Sequence, residues 1–299
     1  MSTGSNTLWL TMRMKNRRFN SKMLPSQNMN QKNENIENNQ RPIRLKIFRY
    51  DAKIDNPPRY EEFAVRTNSN RTGMTVLEAI LQIQDEQDGT LAVRYSCRGA
   101  VCGSCAMLIN GKFDLACRVQ LPQLTTSSTG RNGGGSSEII VLEPLPNLNI
   151  IKDLVVDMAP FWDALQQIQP WLHETPHLSV GLHPPEKERL MSPKEREKID
   201  QYVNCVLCAA CYGSCPVLAR DEKYLGPAAL AKLYRFVADS RDSRGDETLK
   251  IANAESGVWG CDMVFRCIDA CPKNVRPTDG IEALRRNLVM RKFRKLFHL

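Results

Sequence analysis

Residues 205–216 read Cys205-Val206-Leu207-Cys208-Ala209-Ala210-Cys211-Tyr212-Gly213-Ser214-Cys215-Pro216, the frame C-x2-C-x2-C-x3-C-P. Residues 261–272, Cys261-Asp262-Met263-Val264-Phe265-Arg266-Cys267-Ile268-Asp269-Ala270-Cys271-Pro272, repeat that frame with Val264 in place of the second cysteine. Runs of this kind hold two iron-sulfur clusters between them. Three closely spaced thiolates take one cluster, and the fourth, beside the proline, ligates the other. The cross-over assigns Cys205, Cys208, Cys211 and Cys271 to a [4Fe-4S] cluster and leaves Cys215, Cys261 and Cys267 to a second. A valine side chain has no lone pair for iron, so the second is read as a three-iron [3Fe-4S] cluster with an empty fourth corner.

Upstream, Cys97, Cys102 and Cys105 are spaced C-x4-C-x2-C, the plant-type [2Fe-2S] spacing, and Cys117 supplies the distant fourth thiolate. The three ligand sets consume all eleven cysteines of the chain. A disulfide framework would leave one thiol over and is accompanied by no secretory leader pattern. Structural zinc is normally held by two separated pairs of ligands, not by a triplet plus a remote fourth.

The 299 residues suffice for two domains, and the two cysteine classes divide them near the middle. The net charge of +8 suggests nucleic acid only until it is located. Residues 1–42 carry seven basic and two acidic side chains, residues 285–299 carry six basic and none acidic, and the chain between them is net negative. Basic ends suit an anionic membrane surface or an acidic partner face, and no nucleic-acid partner is expected. No apolar run is long enough to span a bilayer.

Residues 1–42, rich in Asn, Gln, Ser and Lys, read as a disordered N-terminal extension. Arg13, Arg17 and Arg18 and the scarcity of acids before Glu34 resemble a mitochondrial transit peptide, but asparagine and glutamine dominate where Arg, Ser and Ala would be expected. Order begins near Arg44, where Leu45, Ile47 and Arg49 alternate with Lys46, Phe48 and Tyr50 as in a strand, and a second strand runs through Phe63 and Val65. Thr75 and Glu78 form a capping box for a helix carrying Val76, Leu77, Ile80 and Leu81 on one face. Asn110-Gly111 predicts a type I′ hairpin, and Ile139–Leu142 predicts a strand after the Ser/Gly-rich loop Thr125–Ser137. From Asp153 onward the expectation is helix. Ser192, Pro193 and Glu195 start one, Gly226-Pro227 a second with Leu230, Leu233, Tyr234 and Val237 inward, and Thr278 or Asp279 a third with Ile281, Leu284 and Leu288 inward. The fold class is α+β, with a [2Fe-2S] domain at 43–147 and a helical domain at 148–299. His173, His177 and His183 lie in Pro-punctuated sequence and read as surface residues, since the cysteines already satisfy every cluster.

Several segments together resemble the iron-sulfur subunit of succinate dehydrogenase and fumarate reductase. They are Ser96–Cys105, Ile151-Lys152-Asp153-Leu154-Val155, the run at Cys205, Leu225–Ala229 with Ala238–Asp242, and Cys271-Pro272-Lys273. The resemblance covers about residues 44–290. It implies an N-terminal β-grasp, ferredoxin-like domain followed by an all-α helical ferredoxin domain. It also implies a flavoprotein subunit with FAD that oxidises succinate, a membrane anchor beside the three-iron cluster, and quinone as acceptor. The carriers would stand in the order FAD, [2Fe-2S], [4Fe-4S], [3Fe-4S], quinone, with no catalytic acid or base in this subunit. The apolar Val264 matches the family's habit at that corner.

Ubiquinone-reducing members of that family carry aromatics shortly after the first run and a histidine after the first cysteine of the second. Here those places hold Leu218, Ala219, Arg220 and Asp262, which favours menaquinone or a pocket built mainly by the anchor. Pro216, Trp259 and Asp262 are the candidates for the quinone vicinity. The expected location is peripheral, on the cytoplasmic face of the cell membrane in preference to the matrix side of the mitochondrial inner membrane. The competing reading is the iron-sulfur subunit of another flavin-linked oxidoreductase, such as a thiol-dependent fumarate reductase.

Overall fold

Strand β1, Ile43–Arg49, places Leu45, Ile47 and Arg49 on its buried face, as its alternation predicts. The computed structural model describes residues 42–54, 57–66, 73–126, 139–173 and 188–297. The extension at 1–41, most of the Ser/Gly-rich loop, His177 and His183 lie outside the described residues. Arg41–Leu299 make up one compact unit.

β1 pairs antiparallel with β2, Arg59–Val65, and parallel with β5, Ile139–Glu143. β3, Ala106–Ile109, and β4, Lys112–Leu115, form the hairpin around Asn110 (φ 50°) and Gly111 (φ 73°), and β3 joins the other edge of β5. The sheet order is β2-β1-β5-β3-β4. The parallel β1/β5 pair needs a long crossover, and helix α1, Val76–Glu86, lies on it. Val76, Leu77, Ala79, Ile80 and Ile83 of α1 share the core with Leu45 and Ile47, the β-grasp arrangement. The capping box of Thr75 and Glu78 is formed, and the N–H groups of Val76 and Leu77 donate to the carbonyls of Val119 and Ala116, fixing the strand end that carries Cys117. A one-turn helix α2, Leu121–Thr126, follows.

Helix does not begin at Asp153. Asp153 (φ 48°) turns a short hairpin between β6, Ile150–Lys152, and β7, Val155–Val156, and the first helix is α3, Ala159–Gln167. A long-range charge decides this turn. The Arg49 guanidinium, on a residue 4% exposed, donates Nε to Asp153 Oδ1 at 3.0 Å, Nη1 to Glu61 and Asp88, and Nη2 to Thr90 Oγ1 at 2.9 Å. Asp153 also accepts from the N–H groups of Tyr50 and Ala92. Both carboxylate oxygens are thus engaged, and the hairpin is tied to the sheet.

The remainder is helical. α4, Pro193–Val203, starts at the Ser192–Glu195 capping box. α5, Ala210–Gly213, and α8, Arg266–Asp269, are single turns inside the two cysteine runs. α6, Gly226–Val237, is the central helix, with Leu230 and Leu233 fully buried and Tyr234 and Val237 partly so. α7, Asp246–Ala252, and the long α9, Pro277–Leu296, pack around it, α9 through Ile281, Leu284 and Leu288. Arg285 of α9 is not a free cationic end: it donates to the carbonyls of Val258 and Cys261 and lies over the Trp259 ring, while Arg291 pairs with Asp246.

Replacing Arg49 by alanine leaves Asp153 buried without its counter-charge, and loss of one partner of a buried pair costs about 3–5 kcal/mol. Chemical denaturation of the assembled protein should show a fall of that size, and a loss below about 1 kcal/mol would mean that hydrogen bonds from Tyr50 and Ala92 alone hold the turn.

Candidate metal centres

The first cysteine loop turns left-handed at Arg98 (φ 54°), Ala100 (φ 56°) and Gly103 (φ 76°). Successive N–H groups in such turns face one side and make an anion-binding hollow. Here they face sulfur. Gly99, Val101 and Cys102 donate to Cys97 Sγ at 3.4, 3.4 and 3.3 Å, and Ala100 donates to Cys117 Sγ at 3.2 Å. These donors, Gly99 foremost, hold the Cys97 thiol down to about 6, so it is a thiolate at neutral pH. Burial instead pushes the Cys105 thiol up to about 12.

The two long runs repeat in backbone as they do in sequence. Leu207 and Ala209 (φ 55° and 62°) precede α5, and Met263 and Phe265 (φ 57° and 60°) precede α8 at the same places in the frame. Cys208 and Val264 therefore stand in equivalent positions. Burial, first, and then the charges of Cys205, Cys208, Cys267 and Cys271 push the Cys211 thiol far up. Burial also raises Cys267, against a hydrogen bond with Thr278 Oγ1 at 3.0 Å, with the charges of Cys261 and Cys215 adding to it. Buried thiols that repel one another need a positive partner before they ionise. Iron supplies that charge, and a donor set of thiols alone suits iron-sulfur clusters. Among the described residues no three His, Cys, Asp or Glu side chains converge on a single metal ion.

Long-range contacts bring the cysteine groups together, and spacing could not show them. A Cβ on Gly103 (φ +76°) would stand 2.8 Å from both Cys208 Cβ and the Val206 carbonyl oxygen, so only glycine lets the first loop touch the second. Gly103 is thus a point of close approach, whereas the N–H groups on the sulfurs come from its neighbours. Arg118, after Cys117, donates Nη1 to the Pro272 carbonyl at 2.5 Å, and Lys273 donates Nζ to the Ala100 carbonyl at 3.3 Å. Asn147 donates Nδ2 to the carbonyls of Tyr212, Gly213 and Cys215 at 3.1, 3.0 and 2.8 Å, closing the end of α5.

The candidates for the quinone vicinity are not brought to one cavity. Pro216 lines a cavity of about 740 Å³ with Cys215, Ala219, Arg266, Phe113 and Asn147. Trp259, half-exposed, donates Nε1 to Asn253 Oδ1 at 2.9 Å. Asp262 pairs with Arg220, so two of the departures noted in the sequence form one ion pair, and Leu218 is buried against Gly226. His173 stacks on Trp171 and receives Ser243 at its carbonyl.

Residues 44–163 match the model of the 2Fe-2S iron-sulfur cluster binding domain family, and residues 197–272 match that of the 4Fe-4S dicluster domain. The fumarate reductase iron-sulfur subunit of Haemophilus influenzae is 34% identical over 245 residues, which cover 80% of this chain and 90% of that protein. A chain of the Mycobacterium smegmatis Sdh1 complex in the apo form superposes with a TM-score of 0.69 at 23% identity, over 85% of this chain and 98% of that one, a likeness of fold.

In metal-depleted protein, Cys97 should be the first thiol alkylated by iodoacetamide at neutral pH. Its pKa is lowered, so its rate should fall as the pH drops through about 6, while buried Cys211 stays unmodified there. Peptide mapping after timed alkylation checks both.

Proposed function

The chain belongs to the family of iron-sulfur subunits of fumarate reductase and succinate dehydrogenase, an electron-transfer subunit, and from that premise we propose the partners between which it conducts. The proposed donor is FAD in a flavoprotein subunit, the proposed acceptor is quinone at a membrane anchor, and the complex is a succinate:quinone oxidoreductase or quinol:fumarate reductase. Succinate oxidation would place it in the tricarboxylic acid cycle. Among the described residues no helix is long and apolar enough to cross a membrane. Its proposed place is therefore peripheral, held by the anchor, on the cytoplasmic face of the cell membrane.

Within this reading the halves are 43–147 and 148–299, and the ligands are the three cysteine sets read from the spacing. Cys97, Cys102, Cys105 and Cys117 would hold [2Fe-2S]. Cys205, Cys208, Cys211 and Cys271 would hold [4Fe-4S], and Cys215, Cys261 and Cys267 would hold [3Fe-4S]. Bound clusters supply one-electron carriers, which connect a flavin able to take a hydride to a distant acceptor. The chain's own residues set where those carriers stand. The single observation that carries the three-iron reading is Val264, which occupies the backbone place of Cys208 without a sulfur. Around it Trp259, Val264 and Phe265 are exposed apolar side chains beside Cys261 and Cys267, a surface suited to an apolar partner. The Arg220–Asp262 pair and the burial of Leu218 support a quinone pocket contributed mainly by the anchor, with Pro216 at its edge.

Low-temperature electron paramagnetic resonance on native membranes containing the complex tests the reading. The expected result is an oxidised-state three-iron signal that succinate abolishes while a reduced [2Fe-2S] signal appears. A three-iron signal indifferent to succinate would assign the subunit to another flavin-linked oxidoreductase. In Val264→Cys the fourth thiolate is restored, and the three-iron signal should disappear in favour of a second four-iron cluster; its persistence would overturn the assignment of that corner.

A further inference from the structure

Tyr224 is 2% exposed, yet among the described residues its hydroxyl, fully shielded from solvent, makes no well-formed hydrogen bond, although the Cys261 thiol lies within its reach. A buried hydroxyl without a well-formed hydrogen bond forfeits its hydration, so a strong acceptor beside it is favourable. Tyr224 is held by its backbone and by a close neighbour of its ring. Its backbone N–H donates to the Asp221 carbonyl, the following Leu225 N–H donates to Ser256, and the ring lies so close to Gly260 that a Cβ there would stand 2.9 Å from it.

Gly260 directly precedes Cys261, so the phenol is packed against the start of the second cysteine run. Burial, first, then the charges of Cys261 and Cys215, a hydrogen-bonding approach to the Cys261 thiol and last the charge of Cys267 push the Tyr224 hydroxyl far above its usual range. It remains a protonated O–H, a donor. The thiols whose charge it feels, Cys261, Cys215 and Cys267, are the three assigned to the incomplete cluster, drawn from both runs.

We propose that Tyr224 donates its hydroxyl hydrogen bond to a sulfur of the three-iron cluster and so raises that cluster's reduction potential. The proposal rests on the reading of Val264 as an empty cluster corner. Reduction adds negative charge that spreads onto the sulfurs, and a donor aimed at them stabilises the reduced state more than the oxidised one. Thr278, already engaged with Cys267 Sγ, is the other hydroxyl at this site.

The test is Tyr224→Phe in the assembled complex, which keeps the ring and removes only the hydroxyl. Redox titration of the oxidised three-iron signal should show the equilibrium moved about tenfold toward the oxidised form, a fall of about 59 mV for a one-electron couple, with the [2Fe-2S] potential unchanged. Metal-depleted Tyr224→Phe should be at least as stable as the metal-depleted parent, because it loses a group without a well-formed hydrogen bond; a purely structural tyrosine would instead be missed there. In the unaltered complex, exchange into D2O should remove a proton coupling from the three-iron spectrum, and Tyr224→Phe should lack that coupling from the outset. An unshifted potential, or no exchangeable coupling in the unaltered complex, overturns the proposal. Should the variant lose its clusters, the exchange experiment on the unaltered complex decides alone. Absence of the three-iron signal in the unaltered complex would instead overturn the reading of Val264 on which the proposal stands.

Discussion

Holding several thiolates within one small volume is the constraint on which the rest of this structure depends. Each buried sulfur resists ionisation, and each ionised neighbour makes the next more costly. The chain answers with backbone before it answers with side chains. Left-handed residues at Arg98 and Ala100, at Leu207 and Ala209, and at Met263 and Phe265 recur around all three cysteine groups. In the first loop the resulting N–H groups point at Cys97 and Cys117. Arginine, leucine, phenylalanine and methionine are not residues that favour this conformation. Their presence there shows that the loop shape is imposed by its sulfurs and by the elements on either side, α1 and the β3–β4 hairpin for the first loop, α6 and α9 for the runs.

A second constraint follows from electron transfer, which requires the carriers to be near one another. The halves are joined where the cysteines are. Gly103 carries no Cβ to hold the first loop away from Cys208, and Asn147 reaches from the sheet half to close the turn inside the first run. Arg118, next to Cys117, and Lys273, two residues after Cys271, reach in opposite directions to the other half's backbone. The arrangement is reciprocal. A hinge opening of the halves would break both at once, so the spacing between the first two sites is held by several independent contacts.

Features written in local sequence were legible without coordinates. The capping boxes at Thr75 and Ser192, the Asn110-Gly111 turn, the inward face of β1 and the three inward residues of α9 all depend on neighbours within a few positions. The hairpin at Asp153 was not legible, because an aspartate in left-handed geometry becomes favourable there only through Arg49, more than a hundred residues away. Tyr224 and Asn147 escaped for the same reason: each takes its meaning from residues far along the chain. The missing Cβ of Gly103 clears space for Cys208, a relation that no spacing encodes.

The second cysteine run differs from the first by little. Its loop keeps the two left-handed residues and the single helical turn of the first run, so the shape that presents Cys208 is intact around Val264. Had the fourth ligand been lost through a change of backbone, restoring a cysteine would not restore a site. With the backbone preserved, the difference is one sulfur. That side chain is 52% exposed and stands beside exposed Phe265, so the position equivalent to Cys208 faces outward. An apolar surface over an unligated corner suits the proposed exit of electrons toward an apolar acceptor. A charged or ligating residue there would either complete the cluster or hold water against it. The two runs thus differ at a position where, on the proposed reading, the side chain alters the chemistry and leaves the backbone alone.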